Sequence, residues 1–185
     1  MKFEELAIKG VWLAHSPIHA DSRGSFREWF KPAELLSANG QNFDVMQSNI
    51  SISHRGVLRG IHYSLAEDGQ GKWITCITGS IWDVVVDIRP SSPTFKQWIG
   101  IPLDSQSGHS VLVSKGLGHG FISLEDNTAV SYLLTSPYSP AEEYEISPLD
   151  SELSISWPIE LPKLSVKDAQ AKTLSQMLQA GMLPK

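Results

Sequence analysis

An arginine, a histidine, a tyrosine and a lysine lie close together in the run RGVLRGIHYSLAEDGQGK, residues 55–72. Arg59 and Lys72 are cations that can hold an anionic or carbonyl-bearing ligand. His62 lies between them, and histidine is the side chain that titrates near neutral pH. The run begins with alternating apolar residues and ends in a glycine-containing polar loop, which is typical of a strand followed by a turn. We therefore expect a strand that brings these side chains to one site, with His62 as a candidate general base.

The spacing of Arg59 and His62 conflicts with simple strand alternation. Alternation places Leu58, Gly60 and His62 on one face of the strand, and Arg59 and Ile61 on the other. The two side chains can serve one pocket only if the strand twists or bulges between them. Gly60 would permit such a bulge, so we expect an irregularity there.

Further candidates for chemistry lie downstream. His119, in the glycine-rich run KGLGHGF, can converge with His62 from another strand. Tyr132 is either a packing aromatic or a phenolic proton donor, and Tyr138 is either a packing aromatic or a stacking platform. Asp168 in the run LSVKDA either caps the last helix or accepts a hydrogen bond from the ring of His62.

A metal centre is the main rival to acid–base chemistry, since histidines and a carboxylate often bind a metal in barrel proteins. Tyr63 and Ser64 follow His62, so there is no close His-x-His pair, and His119 has no second ligand beside it. Lys72 also disfavours a cation at this place. We expect no catalytic metal.

The composition limits the class of protein. With 185 residues, 41% hydrophobic and 19% charged, the chain fits one globular domain with a substantial core. The formal net charge of −5 argues against a non-specific nucleic-acid binder. Cys76 is the single cysteine, so no intrachain disulfide can form. Glu4 and Glu5 occupy the place of a signal peptide's apolar core, and no apolar run approaches the ~20 residues of a membrane span, so we expect a soluble cytoplasmic protein.

The elements that must position these residues are mainly strands. We expect a first strand over Leu6–Trp12, a turn at Gly24, and a short helix over Pro32–Ala38. Further candidate strands are Val45–Ser51, Val57–Tyr63, Trp73–Thr78, Ile81–Ile88, Lys96–Ile101, Ser110–Val113, Gly120–Leu124 and Ala129–Leu134. Gly79-Ser80 predicts a hairpin, and Lys167–Ala180 predicts a C-terminal helix. Short strands without intervening helices favour an antiparallel sandwich or barrel, so the fold class is all-β with minor helices.

These segments together resemble the dTDP-4-dehydrorhamnose 3,5-epimerase family. The matching runs are DSRGSFREWF, QSNISISHRGVLRGIHY, GQGKWITCITGSIWDVVVDIRPSSPTF, KGLGHGF, SYLLTSPYSPAEEYEISPLD, LSISWP and LSVKDA. They follow in the family's order from about residue 20 to 170, and RGIH, QGK and DVVVDIR-x-SPT are specific in combination. The resemblance implies one cupin jelly-roll domain over residues 1–185, a homodimer whose N-terminal strand crosses to the partner, and an epimerase without metal or cofactor.

The resemblance also implies residue roles. His62 is similar to the family's base, Tyr132 to its acid, Asp168 to the residue paired with that base, and Lys72 to the residue near the sugar's carbonyl oxygen. Tyr138 matches the residue that stacks on thymine. The positions that match binding of a dTDP-sugar are Arg23, Glu28, Gln47, Ser48, Asn49, Arg59, Lys72, His119, Glu143 and Lys167.

Some positions depart from the common family pattern. Ser114 and Gly118 replace a proline and an alanine before His-Gly-Phe, Ser48 stands where an acidic residue is frequent, and the loop 64–69 is distinct. These features resemble the branch of unusual-sugar pathways, so inversion at carbon 3 alone is an alternative to inversion at carbons 3 and 5. The further alternatives are a 3,4-ketoisomerase, which does not need Tyr132, and a non-catalytic sugar-nucleotide-binding cupin.

Overall fold

The structure, a computed structural model, describes residues 1–67 and 69–184, so Asp68 of the distinct loop and Lys185 lie outside the described residues. The strands are β1 (Lys2–Glu5), β2 (Val11–His15), β3 (His19–Asp21), β4 (Gly24–Phe26), β5 (Gln47–Ser53), β6 (Leu58–Ser64), β7 (Lys72–Thr78), β8 (Ser80–Asp87), β9 (Trp98–Asp104), β10 (His109–Val113), β11 (Leu117–Ser123), β12 (Thr128–Leu134) and β13 (Glu143–Glu145). The helices are α1 (Pro32–Asn39), α2 (Val166–Ala169) and α3 (Leu174–Gln179). The expected all-β class with minor helices is confirmed. None of the described helices is long and apolar enough to cross a bilayer.

Two antiparallel sheets pack face to face as a jelly-roll sandwich. The six-stranded sheet has the order β1-β2-β10-β7-β12-β5, and the five-stranded sheet has the order β13-β6-β11-β8-β9. Residues that alternate along the facing strands, such as Ile74, Val85, Val111 and Val130, are buried between the sheets. This apolar core fills one part of the space between the sheets and holds them at a fixed separation.

Each sheet is partly covered on its outer face. Leu35 of α1 and Phe43 pack on Trp73 and Leu112 of the six-stranded sheet. The chain after β13 covers the five-stranded sheet, where Ile61 and Tyr63 pack in one cluster with Ile146, Leu174 and Met177. The C-terminal segment is therefore held against β6, the strand that carries the predicted base.

The expected first strand over Leu6–Trp12 is wrong. Residues 6–10 form a turn between β1 and β2, which pair with each other. The turn is closed by hydrogen bonds from the Leu6 N–H to the Val11 carbonyl at 2.8 Å and from the Val11 N–H to the Ile8 carbonyl at 3.0 Å. Gly10 has a φ of 91°, a conformation that glycine adopts without steric cost.

The expected hairpin at Gly79-Ser80 is also wrong. Gly79 has a φ of 76° and turns the chain from β7 in the six-stranded sheet to β8 in the five-stranded sheet. A glycine between two strand-like runs predicts a sharp turn, but it does not distinguish a hairpin from a crossing between sheets.

The expected helix over Lys167–Ala180 is divided into α2 and α3. Between them the chain forms a bridge to Ile146, and the Ser147 N–H donates to the Lys172 carbonyl at 2.8 Å. Thr173 then starts α3 with a capping box. The N-cap of the last helix is therefore Thr173 and not Asp168.

The expected irregularity at Gly60 is confirmed. In the pairing of β11 with β6, His119 lies opposite His62 and Phe121 lies opposite Arg59. Two steps along β11 thus correspond to three steps along β6, which is a β-bulge. The bulge brings Arg59 and His62 to the same side of the sheet, facing the space between the sheets.

Gly60→Ala tests the bulge. A methyl group there would lie 2.5 Å from the Gly120 Cα, and the φ of 131° is strained for any other residue. Gly24 is a matched control, since its φ is 132° and a methyl group there meets no atom of the described residues within 4 Å. Gly24→Ala should cost about 1–3 kcal/mol of unfolding free energy from backbone strain. Gly60→Ala should cost about 1–3 kcal/mol more because of crowding, measured by urea denaturation. Equal losses in the two variants would contradict this account.

Candidate active site

A cavity of about 310 Å³ lies between the two sheets, beside the apolar core. Its lining combines polar residues from both sheets with residues from the segment that includes α2. The lining residues are Gln47, Asn49, Ser51, Arg59, His62, Gln70, Lys72, His119, Phe121, Tyr132, Leu134, Tyr138, Glu143, Tyr144, Ser165, Lys167 and Asp168. The structure thus brings together eleven of the fourteen residues that we expected to act on a ligand.

His62 and Asp168 form a hydrogen-bonded pair at the wall made by the five-stranded sheet and α2. The His62 Nε2 lies 2.7 Å from the Asp168 Oδ1, and the Ser165 hydroxyl donates to the Asp168 Oδ2 at 2.8 Å. Burial would raise the pKa of Asp168, but the hydrogen bonds from His62 and Ser165 and the positive charge of Lys167 outweigh it, so the pKa is lowered. An ionised Asp168 can only accept, so it holds the proton of a neutral imidazole on Nε2 and leaves Nδ1 free to act as a base.

Tyr132 reaches the cavity from the opposite wall. It lies on β12 of the six-stranded sheet, whereas His62 lies on β6 of the five-stranded sheet. Burial raises the pKa of Tyr132, while Arg59 and a hydrogen bond with the Asn49 side chain act in the other direction. The phenol therefore keeps its proton at neutral pH and is suited to donate it.

Lys72 lies in the cavity at the start of β7 and is buried. Its ammonium donates to the Gln70 Oε1 at 2.5 Å, and the Gln70 Nε2 donates to the Glu143 Oε1 at 3.0 Å. Burial lowers the pKa of Lys72 to about 8, against the opposing effect of Glu143. The lysine is therefore mainly cationic at neutral pH and can face a developing negative charge on a ligand.

A second histidine–carboxylate pair lies next to the first. The His119 Nε2 lies 2.7 Å from the Oδ1 of Asp83, which is fully buried on the neighbouring strand β8. His119 also lies directly opposite His62 in the sheet. The pair fixes the ring of His119 at the cavity wall, where it can contact a bound ligand.

The mouth of the cavity carries an aromatic ring and a cation. Tyr138 is 58% exposed, and its N–H donates to the Gln47 Oε1 at 2.7 Å. Gln47 in turn donates to the Asn49 Oδ1 at 2.9 Å. Lys167 lies 2.8 Å from Glu145, which raises the pKa of Lys167. An exposed ring beside a cation suits a flat aromatic group that carries an anion.

Three predicted binding residues lie outside this cavity. Arg23 is in the exposed β3–β4 hairpin and pairs with Asp21 at 2.6 Å. Glu28 follows the hairpin and is also exposed. Ser48 points to the outer face of β5, because it alternates with Gln47 and Asn49, which line the cavity. These three side chains cannot meet a ligand in the cavity of their own chain without a rearrangement.

Several lining residues were not predicted from the sequence, namely Ser51, Gln70, Phe121, Leu134, Tyr144 and Ser165. Simple alternation would have found some of them, since Ser51 follows Asn49 by two positions and Phe121 follows His119 by two. Ser165 lies three residues before Asp168, which is the spacing of a serine N-cap, and it is the N-cap of α2. In the part of the chain that the structure describes, no group of three or more His, Cys, Asp or Glu residues is arranged to hold a metal ion.

Comparison with known families decides the assignment. The family model described as dTDP-4-dehydrorhamnose 3,5-epimerase matches residues 5–176. The chain belongs to this epimerase family. The dTDP-4-dehydrorhamnose 3,5-epimerase of Mycolicibacterium smegmatis is 45% identical over 186 residues, covering 100% of this chain and 91% of that protein. The dTDP-4-dehydro-6-deoxyglucose 3-epimerase of Streptomyces bikiniensis is 43% identical, covering 97% of this chain and 92% of that protein.

Solved structures of the epimerase family have the same fold. An epimerase from Mycobacterium tuberculosis superposes with a TM-score of 0.97 at 42% identity, covering 100% of this chain and 94% of that one. A 3'-monoepimerase from Streptomyces bikiniensis in complex with dTDP-quinovose gives a TM-score of 0.94 at 43% identity, covering 97% and 91%. The family resemblance inferred from the sequence motifs and the cupin jelly-roll fold are thus confirmed.

Asp168→Asn tests whether the carboxylate sets the proton position on His62. An asparagine side chain can either accept or donate, so it no longer requires a proton on Nε2. In the wild type we expect the Nε2-protonated tautomer of the neutral ring, and in the variant a mixture of tautomers. Proton–nitrogen correlation NMR of the imidazole distinguishes the two forms. A wild-type ring protonated on Nδ1, or the same tautomer in both proteins, would contradict the assignment.

Proposed function

We propose that the protein epimerises a dTDP-4-keto-6-deoxyhexose, with His62 as the base and Tyr132 as the acid. The observation that carries this proposal is the placement of the two groups on opposite sheets, on either side of one cavity. A sugar ring held between the sheets meets the base on one face and the acid on the other. Inversion of a carbon requires that arrangement, because the proton must leave from one face and return to the opposite face.

The chemistry follows from the ketone of the substrate. A proton on the carbon next to the ketone is acidified, because the resulting carbanion is delocalised onto the ketone oxygen as an enolate. The unprotonated Nδ1 of His62 takes this proton, and the ammonium of Lys72 stabilises the negative charge that develops on the oxygen. The hydroxyl of Tyr132 then returns a proton to the same carbon from the other face. The inverted ketone is released after proton exchange with water resets both residues.

The remaining lining residues suit the nucleotide half of the substrate. Arg59 and Lys167 supply positive charge for the two phosphates, and the arginine fork can bind two phosphate oxygens at once. Tyr138 offers its exposed ring to the thymine. The other residues assigned to substrate binding in this cavity are Gln47, Asn49, His119 and Glu143.

The position of inversion is carbon 3, carbon 5 or both. Relatives named as 3,5-epimerases and as 3-epimerases are similarly close to this chain, at 45% and 43% identity. Ser48, Ser114 and Gly118 depart from the common family pattern and resemble the unusual-sugar branch. Inversion at carbon 3 alone is therefore the second candidate activity. We place the activity in the cytoplasm. We also treat residues 1–185 as one catalytic domain, because both sheets contribute to the same core and the same cavity.

We also propose that the active protein is a homodimer. Ile50, Ile52 and Ile77 lie on the outer face of the six-stranded sheet and are 66%, 67% and 47% exposed. Such a group of exposed isoleucines on a sheet is typical of a surface that is buried by a partner. Arg23 and Glu28 project from the exposed N-terminal region, so both can serve the partner's cavity after exchange of the N-terminal strand. Ser48 lies on the outer face of β5, on the same side as Ile50 and Ile52.

Deuterium incorporation tests the proposed reaction. The purified protein in deuterated water should place deuterium at carbon 3, carbon 5 or both of dTDP-4-keto-6-deoxyglucose, as observed by proton NMR. His62→Ala should abolish exchange at every carbon, a loss of at least about 10²-fold, because the base is missing. His54→Ala is the matched control, since His54 is exposed and outside the cavity, and it should exchange like the wild type.

Three outcomes would contradict the assignment. Exchange that survives in His62→Ala would show that His62 is not the base. No exchange in the wild type, combined with thermal stabilisation by dTDP, would indicate the non-catalytic binding protein instead. Migration of the ketone from carbon 4 to carbon 3 would indicate the ketoisomerase.

Ile52→Glu tests the dimer. A buried, unpaired carboxylate at the interface should convert the dimer to a monomer at micromolar concentration, as measured by sedimentation velocity. Leu161→Glu is the control, because Leu161 is 88% exposed and lies outside both sheets, so this variant should remain a dimer. A monomeric wild type, or an Ile52→Glu variant that stays dimeric, would refute the proposed interface.

A further inference from the structure

Gln70 is a buried polar residue of the cavity to which the proposed mechanism assigns no role. It is only 5% exposed and lies in the loop before β7, two positions before Lys72. Its side chain makes hydrogen bonds with two charged residues of opposite sign, Lys72 and Glu143. A glutamine enclosed in this way is held in one orientation by its neighbours.

The orientation of the Gln70 amide follows from its partners. An ammonium group can only donate hydrogen bonds, and an ionised carboxylate can only accept them. The Gln70 Oε1 therefore faces Lys72 at 2.5 Å, and the Gln70 Nε2 faces Glu143 at 3.0 Å and the Ser136 hydroxyl at 3.3 Å. The reversed amide would place its NH₂ group against the Lys72 ammonium and its oxygen against the Glu143 carboxylate, so the observed orientation is strongly favoured.

Gln70 separates two charges that would otherwise attract each other. Glu143 is close enough to raise the pKa of Lys72, yet Lys72 forms no ion pair with it or with any other carboxylate in residues 1–67 and 69–184. The hydrogen bond to Gln70 uses one of the three ammonium protons. The other two remain for an oxygen in the cavity.

We propose that Gln70 is a positioning residue that keeps Lys72 out of a direct ion pair with Glu143 and directs its ammonium group toward the ligand. The inference rests on the proposed function, in which Lys72 stabilises the enolate oxygen. Because Gln70 is neutral, it leaves the field of the Lys72 ammonium at the reacting oxygen undiminished. A carboxylate in direct contact with Lys72 would offset much of that field with its own negative charge. The loop before β7 thus controls the electrostatics of the cavity without contacting the reacting carbon.

Other ionisable groups line the same cavity as Lys72. They are Glu143 and Tyr144 on β13, Arg59 and His62 on β6, His119 on β11, Tyr132 on β12, and Lys167 and Asp168 on α2. Burial lowers the pKa of Lys72 to about 8, so its charge is lost as the pH rises through that value. If the cation is required, activity should fall over the same range.

Two variants of Gln70 shift this titration in opposite directions. Gln70→Glu places a carboxylate against the ammonium, which raises the pKa of Lys72 by about one unit or more and moves the alkaline fall in activity to higher pH. Gln70→Leu removes the acceptor from a buried ammonium, which lowers the pKa and moves the fall to lower pH. Both should reduce kcat by more than they change KM or the affinity for dTDP, since Gln70 acts at the sugar oxygen.

The experiment combines kcat–pH profiles with direct NMR titration of the Lys72 ammonium, using Ser136→Ala as the control. Ser136 bonds to Gln70 but does not line the cavity, so this variant should leave the titration unchanged. Opposite shifts in the two Gln70 variants are expected. Identical Lys72 titrations in all proteins, or equal losses of activity at every pH without a shift, would overturn the proposal. A wild type without epimerase activity would refute the proposed function alone, because the NMR titration would still test Gln70.

Discussion

The candidate site depends on a close approach of two backbones, at Gly60 of β6 and Gly120 of β11. A methyl group at Gly60 would lie 2.5 Å from the Gly120 Cα, and one at Gly120 would lie 2.8 Å from the Arg59 carbonyl oxygen. The two glycines allow the bulge that gives β6 one extra residue relative to β11. Without it, either Arg59 or His62 would point away from the cavity. One local backbone irregularity thus places the Arg59 guanidinium and the His62 imidazole on the same wall of the cavity.

The second requirement is that buried charged and polar groups find partners. The apolar core occupies one part of the space between the sheets, and the polar cavity occupies another. Asp168 pairs with His62, Asp83 pairs with His119, and Lys72 pairs with Gln70. Because an unpaired buried charge is costly, these pairs hold the side chains in place before a ligand arrives. The protein can then use the cavity for charge stabilisation without reorganising it.

Much of the fold could be predicted from strand alternation and turn residues, because period-two patterns report burial on one face. Alternation did not reveal the strand Glu143–Glu145, because three residues are too few for a period-two pattern to be recognised. It also did not show whether Gly79 joins paired strands or crosses between sheets. The residue types His62, Arg59 and Lys72 stand together in the sequence and could be identified there. The contact of His62 with Asp168 spans 106 positions, and that of Gln70 with Glu143 spans 73. Such contacts depend on tertiary packing. The sequence left the first as one of two possible roles of Asp168, the family resemblance favoured it, and the second emerged only from the structure.

In the proposed mechanism, proton removal and proton return occur on opposite faces of one sugar ring, from two facing sheets. Tyr132→Phe in deuterated water tests it most directly, because the variant keeps the base and the packing of the ring but loses the phenolic proton. We expect that deuterium still enters the recovered substrate next to the ketone, while formation of the inverted product falls by roughly 10²-fold or more. An equal fall in exchange and inversion would mean that Tyr132 mainly positions the substrate. Undiminished inversion would mean that another group returns the proton.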